Sequence, residues 1–300
     1  MRKRLFLLGI MWVALVGCED VIEVEVPVEE PRLVVDGLLR VDTTQTYVPV
    51  EVRLTQTAGF FDEIQPVTDA DQVIIILQTL DEDGLPADTG TRSLTQLEEG
   101  SGVYVPDPSF DADQRLLVST VVENDILFTL VVSWRGRRYA AQTKYVTSVA
   151  IDELRLGDGT LFGEDETELI VRFTDNPDRD NFYVFDFGFG NFLASEDTFY
   201  KGQEFEFSYF YDEDFEPGTE LEVGLLGADR TFFNYMDLLI EQTEGQQGPF
   251  QTPVATVRGN VFDVTDLDNI ENVDNAAQPE VFPLGYFAIV QEFTERITIE

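Results

Sequence analysis

Alternation of apolar and polar positions with a period of two recurs along most of the chain after residue 31. A strand sends successive side chains to opposite faces, so this alternation predicts strands with one face buried. In the first half the pattern predicts strands at Leu33–Arg40, Val48–Thr55, Gln72–Leu80, Gly102–Val105, Ile126–Trp134 and Tyr139–Val146. Gly59, Asp83-Gly84 and Arg135-Gly136 supply turn chemistry between them. In the second half it predicts Glu168–Thr174, Phe182–Phe189, Glu204–Tyr211, Glu220–Leu226, Val254–Arg258, Tyr286–Gln291 and Glu295–Ile299. One stretch switches to a helical period: Phe232, Phe233, Met236, Leu239 and Ile240 share a face, with Asp229 placed to cap it. Gly245 and Gly248-Pro249 are expected to end that helix, and the Asp- and Asn-rich run Asn260 to Gln278 reads as a long surface loop.

Short strands bounded by turns, with one helix, predict a mainly β protein. The expected layout is an immunoglobulin-like β-sandwich over residues 32–147. A second β-sandwich-like domain follows over 148–300, with the amphipathic helix near 229–242. No internal repeat and no nucleotide-binding fingerprint interrupts this layout.

The first 31 residues follow other rules. Arg2, Lys3 and Arg4 precede an uncharged run from Leu5 to Val16, and Leu15-Val16-Gly17-Cys18 closes it. A membrane-spanning helix needs about 20 apolar residues, so this run has the length of a signal-peptide core instead. The L-V-G-C ending resembles a bacterial lipobox. Residues 1–17 are therefore expected to be a lipoprotein signal peptide, cleaved between Gly17 and Cys18, with lipid attached covalently to Cys18. Cys18 is the only cysteine, which rules out an intrachain disulfide, and lipidation accounts for an odd cysteine in an exported chain. Residues 18–31 read as an acidic tether. Glu19 and Asp20 resemble the surface-export signal of Bacteroidota lipoproteins, although acidity is general in this chain.

Charge narrows the partners. The chain carries 19 Lys+Arg against 58 Asp+Glu, a formal net charge of −39, and loses Arg2, Lys3 and Arg4 with the leader. Nucleic acid is excluded as an expected partner because phosphate binding needs a basic surface. Disorder is not expected, since 43% of residues are apolar and 12% aromatic. Self-repulsion at this charge weakens a compact fold unless salt screens it, which predicts a saline, halophilic habitat.

The chain has no histidine, so Ser-His-Asp catalysis, Cys-His catalysis and His-ligated metals are excluded. Carboxylate chemistry survives, but 58 acids make a chance pair unavoidable and therefore uninformative. Calcium suits hard oxygen ligands, and two segments are rich enough to consider: Asp175 to Asn181, with Asp175, Asp178 and Asp180, and Asp263 to Asp274. Neither has EF-hand spacing, so solvated turns are the favoured reading, and no cofactor other than the lipid is expected. The other candidate is an aromatic ladder. Tyr183, Phe185, Phe187 and Phe189 alternate along one predicted strand, and Phe205, Phe207, Tyr209 and Tyr211 along another. Such rings form either a platform that stacks on a planar ligand or the inner wall of a sandwich, and the inner wall is favoured.

Several stretches, taken in order, resemble the uncharacterised Bacteroidota lipoproteins grouped as domain of unknown function 4249. They are Cys18-Glu19-Asp20-Val21-Ile22, Pro31-Arg32-Leu33-Val34-Val35-Asp36-Gly37, Val52-Arg53-Leu54-Thr55 and Gly102-Val103-Tyr104. Asp180-Asn181-Phe182-Tyr183, Phe232-Phe233-Asn234-Tyr235 and Leu284-Gly285-Tyr286-Phe287 complete the set. The resemblance implies an envelope lipoprotein of the outer membrane, lipid-anchored and facing the cell surface. Its relatives are often encoded beside TonB-dependent receptors and have no assigned catalytic residue. The expected function is a non-enzymatic ligand-binding or scaffolding accessory of a TonB-dependent transporter. A structural or adhesive surface protein and a carboxylate-based glycan hydrolase stand as alternatives.

Overall fold

The computed structural model describes residues 30–59, 62–161, 163, 166–213, 215–243, 256–267 and 282–299. The expected leader, Cys18 and most of the expected tether lie outside the described residues, as does most of the calcium candidate Asp263 to Asp274. The elements belong to one compact unit formed by residues 31–57 and 64–300.

The chain is mainly β, with large multistranded sheets. The first core is ringed by β1 (Leu33–Val41), β3 (Val52–Gln56), β5 (Gln72–Leu80), β6 (Pro86–Gln96), β7 (Val103–Pro106), β9 (Ile126–Trp134) and β10 (Arg137–Thr143). The long strand β19 (Leu284–Thr298) completes it by pairing in parallel with β1, Asp36 opposite Tyr286. The ladder runs β19-β1-β3-β7-β6-β5-β9-β10. Beyond Lys144 the chain enters β11 (Tyr145–Val146), which pairs in parallel with β19 and so returns the ladder to its start. Closure matters because an open edge leaves backbone groups unpaired. Where β10 and β19 diverge, the Asn260 amide makes the link. It donates to the carbonyls of Gln142 (3.1 Å) and Phe287 (2.8 Å) and accepts from the Phe287 N–H (2.9 Å). Leu33, Val35, Leu39, Ile75, Phe128, Leu130, Phe287 and Ile289 fill the interior. Of the smaller strands, β2 (Tyr47–Val48) pairs with β8 (Leu116–Leu117) and β4 (Gln65–Pro66) with β3, and a short helix α1 (Val118–Glu123) follows β8.

The second core lies between two sheets, in a sandwich-like arrangement. One comprises β12 (Ile151–Leu156), β13 (Thr167–Thr174) and β16 (Glu204–Tyr211). The other comprises β15 (Phe192–Glu196), β14 (Phe182–Asp186), β17 (Glu220–Ala228) and the C-terminal half of β19. Leu169, Val171, Phe173, Tyr183, Phe185, Leu221, Val223 and Leu225 meet between them. Helix α2 (Arg230–Thr243) covers the opposite face of β14, β17 and β19 through Phe232, Met236 and partly buried Phe233 and Leu239. Asp229 caps it as expected, its Oδ1 accepting the Phe232 N–H at 2.7 Å. With both faces covered, β14 and the stretch of β17 from Val223 onwards read as continuous apolar runs rather than alternating ones.

Several boundaries differ from the sequence expectation. The predicted strand Val48–Thr55 is broken before Val52, with Pro49 in the gap. Phe182–Phe189 ends at Asp186, because Gly188, Phe189 and Gly190 all take positive φ. Thr256–Arg258 is irregular, while Val254 and Ala255 lie outside the described residues. The start of the expected loop at Asn260 contains a strand, β18 (Val261–Asp263), paired with β10. Tyr286–Gln291 and Glu295–Ile299 form one continuous strand rather than two. The first core also draws on residues far beyond 147, namely Val261, Phe287 and Ile289. Among the described residues, no helix is long and apolar enough to cross a membrane.

Candidate functional site

A cleft of about 580 Å³ opens between α2 and the face of β1 and β19 turned towards it. Period-two alternation builds its floor. Leu33, Val35, Leu39 and Val41 point into the first core, so Val34, Asp36, Leu38 and Arg40 face the cleft. On β19, Phe287 and Ile289 likewise turn inward, leaving Tyr286 and Ala288 to the cleft side. Gly285 is required where it stands. Its φ is +93°, and a Cβ there would collide with the Val35 carbonyl.

Aromatic rings make the wall. Tyr286 lies 5.1 Å from Phe232 and 4.9 Å from Tyr235, centroid to centroid. Tyr286 is only 7% exposed, Tyr235 is half-buried and Asp36 is exposed, and neither hydroxyl nor the Asp36 carboxylate has a hydrogen-bond partner among the described residues. Burial pushes the Tyr235 phenol up to about 12, with the Asp36 charge adding to it. Burial also raises Tyr286, helped by Asp229 and Tyr235, so both phenols stay neutral donors at physiological pH. Polar atoms that border the cleft without a protein partner are available to a ligand's own donors and acceptors.

Charge closes one end. Arg40 reaches from β1 to Asp186 (2.6 Å) and Glu292 (2.9 Å), tying the two sheet regions together. Burial alone lowers the Arg40 pKa, but the two carboxylates outweigh it and hold it above its ordinary value. Burial raises Glu292 despite the guanidinium beside it. Glu51 and Arg53, 3.5 Å apart, stand on the rim. The site therefore combines an apolar and aromatic body, two neutral phenols and one carboxylate, Asp36, with no ion pair among the described residues.

The residues singled out from the sequence lie elsewhere. Tyr183, Phe185, Phe187 and Tyr211 are buried in the second core, and Phe205, Phe207 and Tyr209 pack against it. Their rings interlock, Phe187 on Tyr209 at 3.8 Å and Phe185 edge-on to Phe207 at 5.1 Å, so the ladder faces inward. Phe189 leaves the ladder for the surface. Asp175, Asp178 and Asp180 do not converge. Asp175 is buried and accepts from the Tyr183 hydroxyl (2.6 Å) and the Gly202 N–H (2.7 Å), whereas Asp178 and Asp180 are exposed and Asp180 pairs with Lys201. Among the described residues, no group of three or more acids or cysteines is placed to hold a metal. Asp36, Tyr235 and Tyr286 were not singled out as site residues. The only signal was positional: Asp36 interrupts an otherwise apolar strand centre.

A mainly β architecture with an aromatic cleft under a single covering helix defines the class of protein. The chain belongs to the family described as Domain of unknown function (DUF4249), whose model matches residues 19–296. No curated protein matches the chain. Among solved structures it is similar to a red sea bream transglutaminase, with 13% identity and a TM-score of 0.20. That match covers 68% of this chain and 30% of the transglutaminase, too slight a likeness to inform the fold or the site.

Proposed function

We propose that this chain is a non-enzymatic, lipid-anchored envelope protein that holds a small ligand in the cleft beneath α2 and serves as an accessory to a TonB-dependent outer-membrane transporter. One observation carries the ligand-binding part. Three stretches that bear the family resemblance, around Asp36, Tyr235 and Tyr286, are distant in sequence yet meet in this cleft. The ligand that fits has an apolar, ring-like body and a hydrogen-bond donor or cationic end for Asp36, together with acceptors for the two phenols. The lipobox ending at Cys18 supports the anchor, and the lack of histidine, with the single cysteine taken up by that anchor, supports binding over turnover.

The transporter part is tested by purifying the tagged, lipidated chain from its own membranes in mild detergent and identifying what accompanies it. A near-stoichiometric TonB-dependent receptor is expected. Recovery of the lipoprotein alone contradicts the transporter reading and leaves ligand capture to be tested by itself.

A further inference from the structure

The hairpin joining β14 to β15 ends in a turn whose chemistry works against folding. The Asn191 N–H donates to the Gly188 carbonyl at 2.9 Å, enclosing Phe189 and Gly190, both with positive φ (+55° and +83°). Two central residues with positive φ define a turn that Asn, Asp and Gly fill readily and that a bulky L residue fills badly. Phenylalanine nevertheless occupies the first central position, and its ring is 73% exposed. Both features are unfavourable for the isolated chain, and such outliers gather where a surface has a use.

The ring is held rather than loose. Phe189 stacks on Phe215 (5.7 Å, 26°), Phe215 meets Tyr211 edge-on (5.1 Å, 84°), and the Tyr211 hydroxyl donates to the Phe187 carbonyl at 2.8 Å. A chain of aromatic contacts thus backs the exposed ring onto the second core and leaves its outer face open. The contrast is Phe199, 91% exposed, which has no ring contact among the described residues and no left-handed backbone. Beside Phe215 the chain carries Asp212, Glu213 and Glu216, all exposed and none in an ion pair among the described residues.

We propose that this aromatic hairpin tip is a docking point for a basic loop of a protein partner, with an arginine or lysine laid over the open face of Phe189 and its charge met by the flanking carboxylates. Charge complementarity chooses the occupant. A ring face attracts a cation, the neighbouring acids strengthen that attraction, and the same acids repel anionic headgroups. Phe189 does not line the cleft beneath α2, so this inference stands apart from the reading of that cleft.

The test uses the full chain in mild detergent and a fluorescein-labelled Gly-Arg-Gly-Arg-Gly peptide, read by anisotropy at physiological salt. An otherwise identical peptide with citrulline for arginine removes the charge. The wild type is expected to bind the arginine peptide in preference to the citrulline one, and Phe189→Asn to weaken that binding by about three- to fivefold, the scale of one exposed cation–π contact. Phe189→Asn is also expected to raise Tm, since Asn accepts the left-handed backbone and removes an exposed ring. Phe199→Ser should alter neither affinity nor Tm. No binding of the arginine peptide, equal binding of the citrulline peptide, unchanged affinity in Phe189→Asn, or a fall in its Tm each overturns the proposal. A neutral glucan that displaces the arginine peptide in proportion to its dose, while the citrulline peptide binds equally well, assigns the ring to a sugar instead.

Discussion

Arg40 holds two carboxylates that have little access to water, and its replacement shows what one side chain does for the cleft. The guanidinium spans Asp186 and Glu292 with side-chain exposures of 33%, 17% and 16% in that order. Removing the cation leaves two largely desolvated negative charges facing each other, which costs more than the pair itself contributes. Because the guanidinium is one-third open to water, the expected loss for Arg40→Met lies at the low end for such sites, about 2–3 kcal/mol at pH 7.5. The pH dependence follows from Glu292. Its folded-state pKa is raised, so its contribution to stability is fully present below its unfolded pKa and is lost as pH rises through the folded value. Without Arg40 that pKa rises further. The Tm gap between wild type and Arg40→Met is therefore expected to be widest near pH 8 and to narrow towards pH 5. A gap that widens on acidification would contradict this account of the triad.

At the scale of elements, alternation was a sound guide wherever one face of a strand is buried and the other is not. The expected bounds of β5, β9 and β16 coincide with the observed ones, and α2 is capped by the residue that its pattern indicated. The mainly β class was legible for the same reason. The strand β6, Pro86–Gln96, was not legible because its residues are mostly polar and its first half is exposed on both faces; backbone pairing with β5 and β7 makes it a strand, and side-chain pattern does not. The strand β19 was read as two pieces because its environment changes along its length. Its first half is covered on both faces, and its second half pairs with β17 in a more open setting. The cleft was hidden for a further reason. Asp36 and Tyr286 become neighbours only through a parallel pairing between opposite ends of the chain, and no local period encodes such a partner. The aromatic ladder, in contrast, was conspicuous in sequence because large rings in alternation are what a tightly filled sandwich interior needs.

At the scale of the whole molecule, charge is the dominant unfavourable feature. With 58 acids against 19 bases, most carboxylates have no cation to meet, and several of the few cations are already engaged, among them Arg40, Arg137, Lys201 and Arg296. Long-range repulsion between exposed charges decays over about 10 Å at 0.1 M salt and about 3 Å at 1 M. Tm is therefore expected to rise steadily between roughly 0.05 and 2 M NaCl, with the steepest gain at the low end where screening changes fastest. A flat melting curve across that range would mean that the fold tolerates its charge without screening.

The ligand-holding cleft is the central claim, and native mass spectrometry of the full chain, purified in mild detergent from the cells that make it, tests it most directly. The comparison is with Leu239→Trp, which fills the cleft from a partly buried position on α2 while leaving both cores intact. The account predicts a small-molecule adduct on the wild type that is missing from the variant, with the two proteins melting at similar temperatures. A wild type that carries no adduct, or an adduct retained equally by Leu239→Trp, would contradict it.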